Sequence, residues 1–222
     1  MIIWFATGNN HKKKELAVIL AAAVTTQPRN QSWELKIPSD AGIDFNPNET
    51  GSSFPENALI KARELHRILK EKGVLHQGDP VIADDSGICV DALGGRPGIY
   101  SARYGGPEIK SDAERNALLL EELGDNPRRS ARFVCGMVLY YSPDRFYVAL
   151  ETLEGELVKD AASARGEGGF GYDPILYIPE LGRTVAELTE EEKNRFSHRG
   201  KAGRAIAKIL NEINTAAKAT RT

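Results

Sequence analysis

The sequence predicts an α/β fold in which helices flank a mixed β-sheet, and three observations support this prediction. A short apolar run at 2–6 ends in a Gly-Asn turn, after which the apolar residues take up helical spacing. Apolar residues in 54–72 recur at intervals of four, three and four, which is typical of an amphipathic helix. The segments 131–141 and 145–154 are rich in aromatic and β-branched residues and are separated by Ser-Pro-Asp, which indicates an antiparallel hairpin.

The first half of the chain yields the following elements in order. A strand is expected at 2–6 and a second at 33–37, with Pro28 and Asn30 marking irregular chain before it. The helix at 54–72 ends at Gly73. A buried strand at 81–83 is expected to run into Asp-Asp-Ser-Gly at 84–87, followed by a short strand at 88–90. The polar face of the helix at 54–72 is expected to carry Lys61, Arg63, Glu64 and Arg67.

Capping signals place the later helices. Ser111 with Glu114 forms a capping box, and Gly124 supplies the end of that helix. Thr189 with Glu192 forms another capping box, and a final amphipathic helix follows it. We expect residues 216–222 to form a frayed tail and the whole chain, 1–222, to form a single domain with two lobes.

Composition excludes several classes of protein. The formal net charge of the 222 residues is -2, so no overall basic field is available to hold a nucleic acid. Two distant cysteines, Cys89 and Cys135, argue against a disulfide framework or a zinc site. The sequence shows neither a signal peptide nor an apolar run long enough to span a bilayer. We therefore expect a cytoplasmic protein that binds neither nucleic acid nor membrane.

The turn from the first strand into the first helix is a candidate phosphate site. Unpaired N–H groups and the helix dipole favour an anion there. Lys12, Lys13 and Lys14 lie in the first helical turn, where they oppose the dipole and repel one another, and a bound phosphate would relieve this conflict. The alternative is a surface turn with solvated lysines, since the motif is neither a Walker A loop nor GxGxxG. The candidate residues are Thr7, Gly8, Asn9, Asn10, His11 and Lys12.

Adjacent carboxylates at 84–87 are a candidate metal site. They follow an apolar strand at its carboxyl end, where open α/β sheets place their ligands. Mg²⁺ usually takes one or two carboxylates together with water and substrate phosphates. The alternative is a turn in which Asp and Ser cap backbone amides. Glu49 could bring a further carboxylate to the same metal, although acids before a helix are more often partners of its dipole.

A glycine-rich segment at 166–174 is a candidate base-binding loop. Phe170 or Tyr172 could stack on a base, and Asp173 could bond to sugar or base; alternatively, the aromatic side chains fill the core. His198 and Arg199 are candidate base or phosphate contacts, because no serine or cysteine forms a convincing nucleophilic arrangement with the histidine.

Taken together, these segments resemble the inosine triphosphate pyrophosphatase family over nearly the whole chain. The blocks that carry the resemblance are Thr7-Gly8-Asn9 with Lys12, Glu49-Thr50-Gly51, Phe54 with Glu56-Asn57-Ala58, Ala83 to Gly87, Gly94 to Arg103, Gly168 to Pro174, Ala186-Glu187-Leu188 with Glu192-Lys193, and Ser197 to Gly200. The segment 21–40 looks longer than is usual in that family.

The resemblance implies an elongated fold with two lobes around a central cleft, a homodimer and a requirement for Mg²⁺. It implies hydrolysis of ITP, dITP and XTP to the nucleoside monophosphate and pyrophosphate. Asp85 would be the catalytic residue and, with Glu49, a metal ligand. Substrate would be bound by the turn from Thr7 to Lys12 and by Ser86, Phe170, Gly171, Tyr172, Asp173, Lys193, His198 and Arg199.

Two alternatives remain at this point. A pyrophosphatase of the Maf type would use similar cleft and metal chemistry on modified pyrimidine or guanine nucleotides. A nucleotide sensor would bind the same ligands without hydrolysing them. For base selection, a donor from Arg199 or from loop amides, aimed at a 6-oxo group, would accept inosine and xanthosine and disfavour adenine.

Overall fold

The computed structural model describes residues 1–24 and 33–219 of the chain. Within these residues an open seven-stranded sheet has the order β2-β1-β3-β4-β5-β6-β7. The strands are β1 (Ile2–Phe5), β2 (Glu34–Lys36), β3 (Val81–Val90), β4 (Ser130–Ser142), β5 (Arg145–Leu157), β6 (Leu176–Ile178) and β7 (Arg183–Thr184). The helices are α1 (Asn10–Val24), α2 (Phe54–Glu71), α3 (Asp112–Leu123), α4 (Glu190–Phe196) and α5 (His198–Ala219).

Parallel and antiparallel pairs occur in the same sheet. β1 pairs in parallel with β2 and with β3. β6 pairs antiparallel with β5 and with β7. β4 and β5 are neighbours in the sheet, and the Pro143-Asp144 turn that joins them is too short for a parallel crossover. The predicted mixed sheet, its hairpin and its α/β class are therefore confirmed.

The predicted caps also hold. Ser111 and Glu114 form the capping box of α3, Thr189 and Glu192 form that of α4, and Gly124 lies at the end of α3. Pro28 and Asn30, which marked irregular chain, lie outside the described residues. α5 continues to Ala219, and the remainder of the segment expected to be frayed, 220–222, is likewise outside them. In the described part of the chain, none of the helices combines the length and the apolar character that a bilayer crossing requires.

The expected break between two short strands at 84–87 is wrong, and the alternative of a turn there is wrong as well. These residues lie within the continuous strand β3, which runs from Val81 to Val90. Asp and Ser favour turns when their side chains bond to nearby backbone. Here Asp84 and Asp85 instead bond to side chains on helices far away in the sequence, so the backbone can stay extended. Because successive side chains of a strand point to opposite faces, the two aspartates face opposite sides of the sheet.

Contact clustering divides the chain into two compact units. The first comprises Met1–Asp85, Cys135–Glu151 and Arg199–Thr222, and the second comprises Ser86–Val134 and Thr152–His198. In the second unit, Ile88, Phe133 and Tyr172 belong to one apolar core. The predicted single domain with two lobes remains a prediction.

The first unit buries apolar side chains on both faces of its strands. Ile3, Phe5 and Ile82 pack with α1 and α5, whereas the alternating residues Trp4 and Val81 pack with α2. Helices therefore cover both faces of β1 and β3 in this unit, and both aspartates of β3 point toward helices.

Gly136 in β4 allows α2 to begin very close to the sheet. A Cβ atom at this position would lie 2.7 Å from the nitrogen of Pro55 and 2.8 Å from the carbonyl carbon of Phe54. Distances this short do not occur between a real Cβ atom and backbone, so only glycine fits here without a shift of the helix. The first turn of α2 is consequently held against β4.

Candidate active site

Asp84 lies at the centre of a buried ionic cluster in the first unit. Asp84 is 1% exposed. Its Oδ1 atom accepts a hydrogen bond from Lys12 Nζ at 3.0 Å, and its Oδ2 atom accepts one from Arg199 Nε at 3.1 Å. Burial alone would raise the pKa of Asp84, but the charges of Lys12, Arg199 and Lys61 outweigh it and hold the pKa well below its usual range. Asp84 is therefore a permanent anion at neutral pH.

Arg199 connects three elements of the first unit. It is 2% exposed, and its Nη1 atom donates to Glu15 Oε2 at 2.6 Å while Nε donates to Asp84. Burial alone would lower its pKa, but the Asp84 and Glu15 charges raise the pKa above the usual value. The structure thus places Arg199 in the Asp84 cluster, where two of its guanidinium nitrogens are bound to carboxylates.

Asp85 lies in a second cluster, which involves α2. Its Oδ2 atom accepts from Asn57 Nδ2 at 3.0 Å, and its Oδ1 atom lies 3.4 Å from Lys61 Nζ. The same ammonium lies 3.2 Å from Glu49 Oε1. The structure therefore brings Glu49 and Asp85, the two expected metal ligands, to one cation.

The two clusters shift the pKa values of their aspartates in opposite directions. Burial raises the pKa of Asp85, and the nearby charge of Glu49 adds to this effect; Lys61 and Asn57 offset it only in part. Burial alone would lower the pKa of Lys61, but Asp85, Asp84 and Glu49 together raise the pKa above its usual value. Asp85 is thus the more basic of the two aspartates, and Lys61 stays protonated.

The predicted position of Lys61 on the polar face of α2 is wrong. Lys61 is 8% exposed and lies on the buried face with Ala58 and Leu65. Its position three residues after Ala58 and four before Leu65 is within the apolar stripe, which is the signal that could have revealed it. Asn57, which is fully buried, was likewise assigned no role.

The turn expected to bind phosphate is partly capped by its own side chains. Thr7 Oγ1 accepts from the Asn9 N–H at 3.1 Å. Asn9 Oδ1 accepts from the N–H groups of His11 at 2.8 Å and of Lys12 at 3.3 Å. The expectation that the first-turn N–H groups are unpaired is therefore wrong for these two, because the asparagine acts as a helix cap.

Carboxylates also neutralise two of the three lysines of that turn. Lys12 pairs with Asp84, and Lys13 Nζ lies 2.8 Å from Asp40 Oδ2. Repulsion among the lysines therefore does not by itself require a bound phosphate. Gly8 and Asn10 are exposed, and a Cβ atom on Gly8 would meet no atom within 4 Å apart from those of Gly8 and its two chain neighbours.

The glycine-rich loop of the second unit is fixed by an ion pair. Asp173 is buried; its Oδ2 atom accepts from the Phe170 N–H at 2.8 Å and lies 2.8 Å from Lys193 Nζ. The same ammonium lies 4.6 Å from the centroid of the Phe170 ring. Gly169 has φ +77°, and a Cβ atom there would collide with the Asp173 carboxylate, so the loop requires glycine at this position.

The two aromatic residues of the loop differ in their surroundings. Tyr172 is 5% exposed, belongs to the apolar core, and donates from its hydroxyl to the Ser101 carbonyl at 2.8 Å. Its pKa is raised by burial, so the hydroxyl remains a donor. The alternative that an aromatic fills the core therefore holds for Tyr172, whereas Phe170 is only half-buried.

Helix α3 holds the backbone of the loop from the other side. The Gly171 N–H donates to Asp112 Oδ2 at 2.7 Å, and the Gly171 carbonyl accepts from Asn116 Nδ2 at 3.1 Å. No local pattern in the sequence links Asp112 or Asn116 to Gly171, which lies 59 and 55 residues later, respectively, and both were missed. They position the loop through its backbone.

Two further predicted site residues, His198 and Ser86, belong to the second unit. His198 is buried, and its ring stacks on Phe133 with centroids 4.9 Å apart and an interplanar angle of 19°. Ser86 is half-buried and follows Asp85 directly in β3. The stacking gives His198 a packing role in the second unit.

Comparison with known proteins identifies relatives across almost the full chain. A sequence model described as the Ham1 family matches residues 3–209. A protein named dITP/XTP pyrophosphatase from Treponema denticola is 45% identical over 213 residues, which cover 95% of this chain and 98% of the relative. A protein of the same name from Thermus thermophilus is 46% identical over 209 residues, which cover 93% of this chain and 90% of the relative.

A solved structure agrees with the sequence relatives. The Staphylococcus aureus Ham1 protein superposes with a TM-score of 0.78 at 36% identity and covers 96% of this chain and 99% of its own. The likeness therefore extends to the open mixed sheet and its helices as well as to the sequence. The chain belongs to the Ham1 family.

Proposed function

We propose that the chain is a nucleoside triphosphate pyrophosphatase that hydrolyses ITP, dITP and XTP to the nucleoside monophosphate and pyrophosphate. The observation that carries the proposal is the convergence of Glu49 and Asp85 on one buried cation, beside a second aspartate that fixes Lys12. The relatives from Treponema denticola and Thermus thermophilus, which are named dITP/XTP pyrophosphatases, support the same activity.

The residues present fit the Mg²⁺ ion that the resemblance implies. Glu49 and Asp85 already face one ammonium at 3.2 and 3.4 Å, so their oxygens can approach a single point. Within 1–24 and 33–219 no group of three or more His, Cys, Asp or Glu side chains has metal-binding spacing. Two carboxylates are nevertheless the usual protein share for Mg²⁺, which takes its other ligands from water and phosphates. When bound, Mg²⁺ would supply Lewis-acid polarisation of the phosphate and of a water molecule.

Asp85 is assigned the role of general base. Its pKa is raised by burial, so it accepts a proton more readily than its neighbour Asp84. Asn57 holds one carboxylate oxygen, which fixes the orientation of the other. In the reaction, a water oxygen bonds to the α-phosphorus, Asp85 takes the proton, and the bond from the α-phosphorus to the bridging oxygen breaks to release pyrophosphate.

Lys12 and Lys61 are assigned to the phosphates. Charge-assisted hydrogen bonds from ammonium groups stabilise the negative charge that develops on the departing pyrophosphate. Gly8 is exposed, and the space that a Cβ atom on it would occupy is open, which leaves room for a phosphate oxygen in the turn that carries Lys12. Arg199 positions Lys12 through Asp84, and we assign it this role in place of the predicted base contact because its Nε and Nη1 atoms are engaged by carboxylates.

The glycine-rich loop is assigned to the base. The half-buried ring of Phe170 offers a stacking surface, and Asp173 and Lys193 hold that ring and its backbone in place. The N–H groups of Phe170 and Gly171 are engaged by Asp173 and Asp112, so another loop amide would have to donate to a 6-oxo group; such a donor would accept hypoxanthine and xanthine and disfavour the amino group of adenine. Polar sites reject such mismatches by up to about 10⁴-fold.

Pyrophosphate release from ITP, measured with and without Mg²⁺, tests the activity directly. We expect release only with the ion, and higher kcat/KM for ITP and XTP than for ATP. No release over several hours would favour a nucleotide sensor instead. Equal kcat/KM values for ITP, XTP, GTP and ATP would contradict the base assignment, and a preference for modified pyrimidines would indicate Maf-type chemistry.

We further propose that the protein acts as a homodimer in the cytoplasm. The family resemblance supports this assembly. Light scattering coupled to size-exclusion chromatography tests it: we expect about twice the 24.3 kDa mass of one chain, and a mass equal to one chain would contradict it.

A further inference from the structure

The Lys61 ammonium contacts one oxygen atom of each of the two carboxylates, Glu49 and Asp85, that would bind a metal. Its Nζ atom lies 3.2 Å from Glu49 Oε1 and 3.4 Å from Asp85 Oδ1. The lysine side chain is 10% exposed and that of Asp85 11%, so bulk water screens this contact only weakly. A positive charge is therefore already present between the two carboxylates.

A divalent cation bound to the same two oxygens would lie within a few ångströms of this ammonium. Like charges a few ångströms apart repel strongly in a partly buried site, and the repulsion from a divalent ion is twice that from a monovalent one. Removal of the ammonium without replacement is also unfavourable, because it would leave two carboxylates facing one another. The site is therefore stable with one cation, whether that is the lysine or a metal ion.

Asp85 can keep its place when the lysine leaves. Its other oxygen, Oδ2, is held by Asn57 Nδ2 at 3.0 Å, and Asn57 is itself fully buried on α2. The contact on Oδ1 can consequently change while the carboxylate remains anchored. Lys61, by contrast, ends in a flexible four-carbon chain that can rotate without moving the helix.

We propose that Lys61 is an internal counter-cation that a divalent metal must displace, so that metal binding is an exchange of one cation for another. The inference rests on the proposed function and adds to it an order of events. The displaced ammonium gains a new partner when the phosphates of a nucleotide arrive. Metal and nucleotide then strengthen each other's binding, and the coupling must be reciprocal.

Calorimetric titration of nucleotide-free protein with Mg²⁺ tests the exchange. Lys61→Met removes the competing charge and introduces no oxygen ligand, so we expect the variant to bind Mg²⁺ at least about tenfold more tightly than the wild type, a difference of about 1.4 kcal/mol. Lys61→Arg keeps a cation and is expected to bind no more tightly than the wild type. Equal affinities of Lys61→Met and the wild type would overturn the proposal.

Lys12→Met is the matched control, because it removes one lysine charge from the neighbouring Asp84 and leaves the contacts of Lys61 with Glu49 and Asp85 intact. We expect it to change Mg²⁺ affinity less than Lys61→Met does. An equal gain in both variants would show a general charge effect and overturn the exchange.

A measurement on the wild type covers the case in which Lys61→Met does not fold. Acetylation of lysines by acetic anhydride, followed by peptide mass spectrometry, should label Lys61 faster at saturating Mg²⁺ than without it. Lys13, which pairs with Asp40, should show no such change. Unchanged labelling of Lys61 in the presence of bound Mg²⁺ would overturn the exchange.

These outcomes are separable from the proposed activity. If ITP is hydrolysed but Lys61→Met and wild type bind Mg²⁺ equally, only the exchange is wrong. If neither protein binds Mg²⁺ even with a non-hydrolysable ITP analogue, the metal assignment and the exchange both fail.

Discussion

Asp84 and Asp85 are identical neighbours on one strand, yet their surroundings differ in almost every respect. Asp84 faces α1 and α5 and has both oxygens bound to cations, the partly buried ammonium of Lys12 and the buried guanidinium of Arg199. Asp85 faces α2, shares its cation with Glu49, and has a raised pKa. Strand alternation therefore allows one dipeptide to supply both a fixed anion and a carboxylate of raised pKa, which we propose as the general base, and the covering helices set the surroundings of each.

The largest effect is expected from Asp85→Asn. An amide cannot accept the proton from water, so turnover of ITP should fall by about 10³-fold at saturating Mg²⁺. Initial rates of pyrophosphate release measure this change. Because the wild-type carboxylate is destabilised by burial, the free energy of unfolding should fall little or rise. Turnover near the wild-type level would remove the distinction between the two aspartates.

Asp84→Asn should act mainly on stability. It removes one of the carboxylates that bind the buried guanidinium of Arg199, and loss of one partner from a buried ion pair costs about 3 kcal/mol or more. Urea unfolding measures the difference. Asp85→Asn is the matched control, and a larger loss of stability in that control would reverse the comparison.

Lys12→Met should reduce kcat/KM for ITP by about 10- to 100-fold, since a charge-assisted hydrogen bond to phosphate is worth about 1.5–3 kcal/mol. The control is Lys13→Met in the next residue, which breaks only a partly exposed pair with Asp40 and should change kcat/KM little. Similar losses in both variants would indicate that general positive charge, and not the Asp84 cluster, matters for phosphate binding.

Acid unfolding gives a smaller but direct comparison of the two aspartates. The folded-state pKa of Asp84 lies below its ordinary value of 3.8, so its ion pairs stabilise fully above that value and are lost as the pH falls toward the folded-state pKa. The free energy of unfolding should therefore fall between about pH 5 and about pH 2 more steeply in the wild type than in Asp84→Asn. Protonation of Asp85 has the opposite effect on the free energy of unfolding, because its pKa is raised on folding and a neutral carboxyl group is easier to bury than a carboxylate.

Local signals in the sequence predicted the elements but not the charge partners. The capping boxes at Ser111 and Thr189, the amphipathic α2 and the hairpin depend on residues a few positions apart, and all of them are present. The pairing of Arg199 with Glu15 joins residues 184 positions apart, which no periodicity encodes. Distant charges also explain why Asp84 and Asp85 lie within one continuous strand and not in a break between two short ones.

The candidate site was predicted in part. Glu49 and Asp85 were expected to meet, and both lie against Lys61. Lys61 itself was assigned to solvent because a lysine normally lies on the polar face, and only its carboxylate partners make burial favourable. Tyr172 could not be told from Phe170 by sequence alone, since both are aromatic and lie in the same loop.

The missing side chain of Gly136 sets the spacing on which the Asp85 cluster depends. α2 begins against this residue, and the same helix carries Asn57 and Lys61 one and two turns later. A single added methyl group would push the start of the helix outward and stretch both of its contacts with the carboxylate. Activity is therefore expected to depend on a β4 residue outside the proposed set of metal and substrate ligands, and a mutational scan should find Gly136 as intolerant of substitution as Glu49 and Asp85.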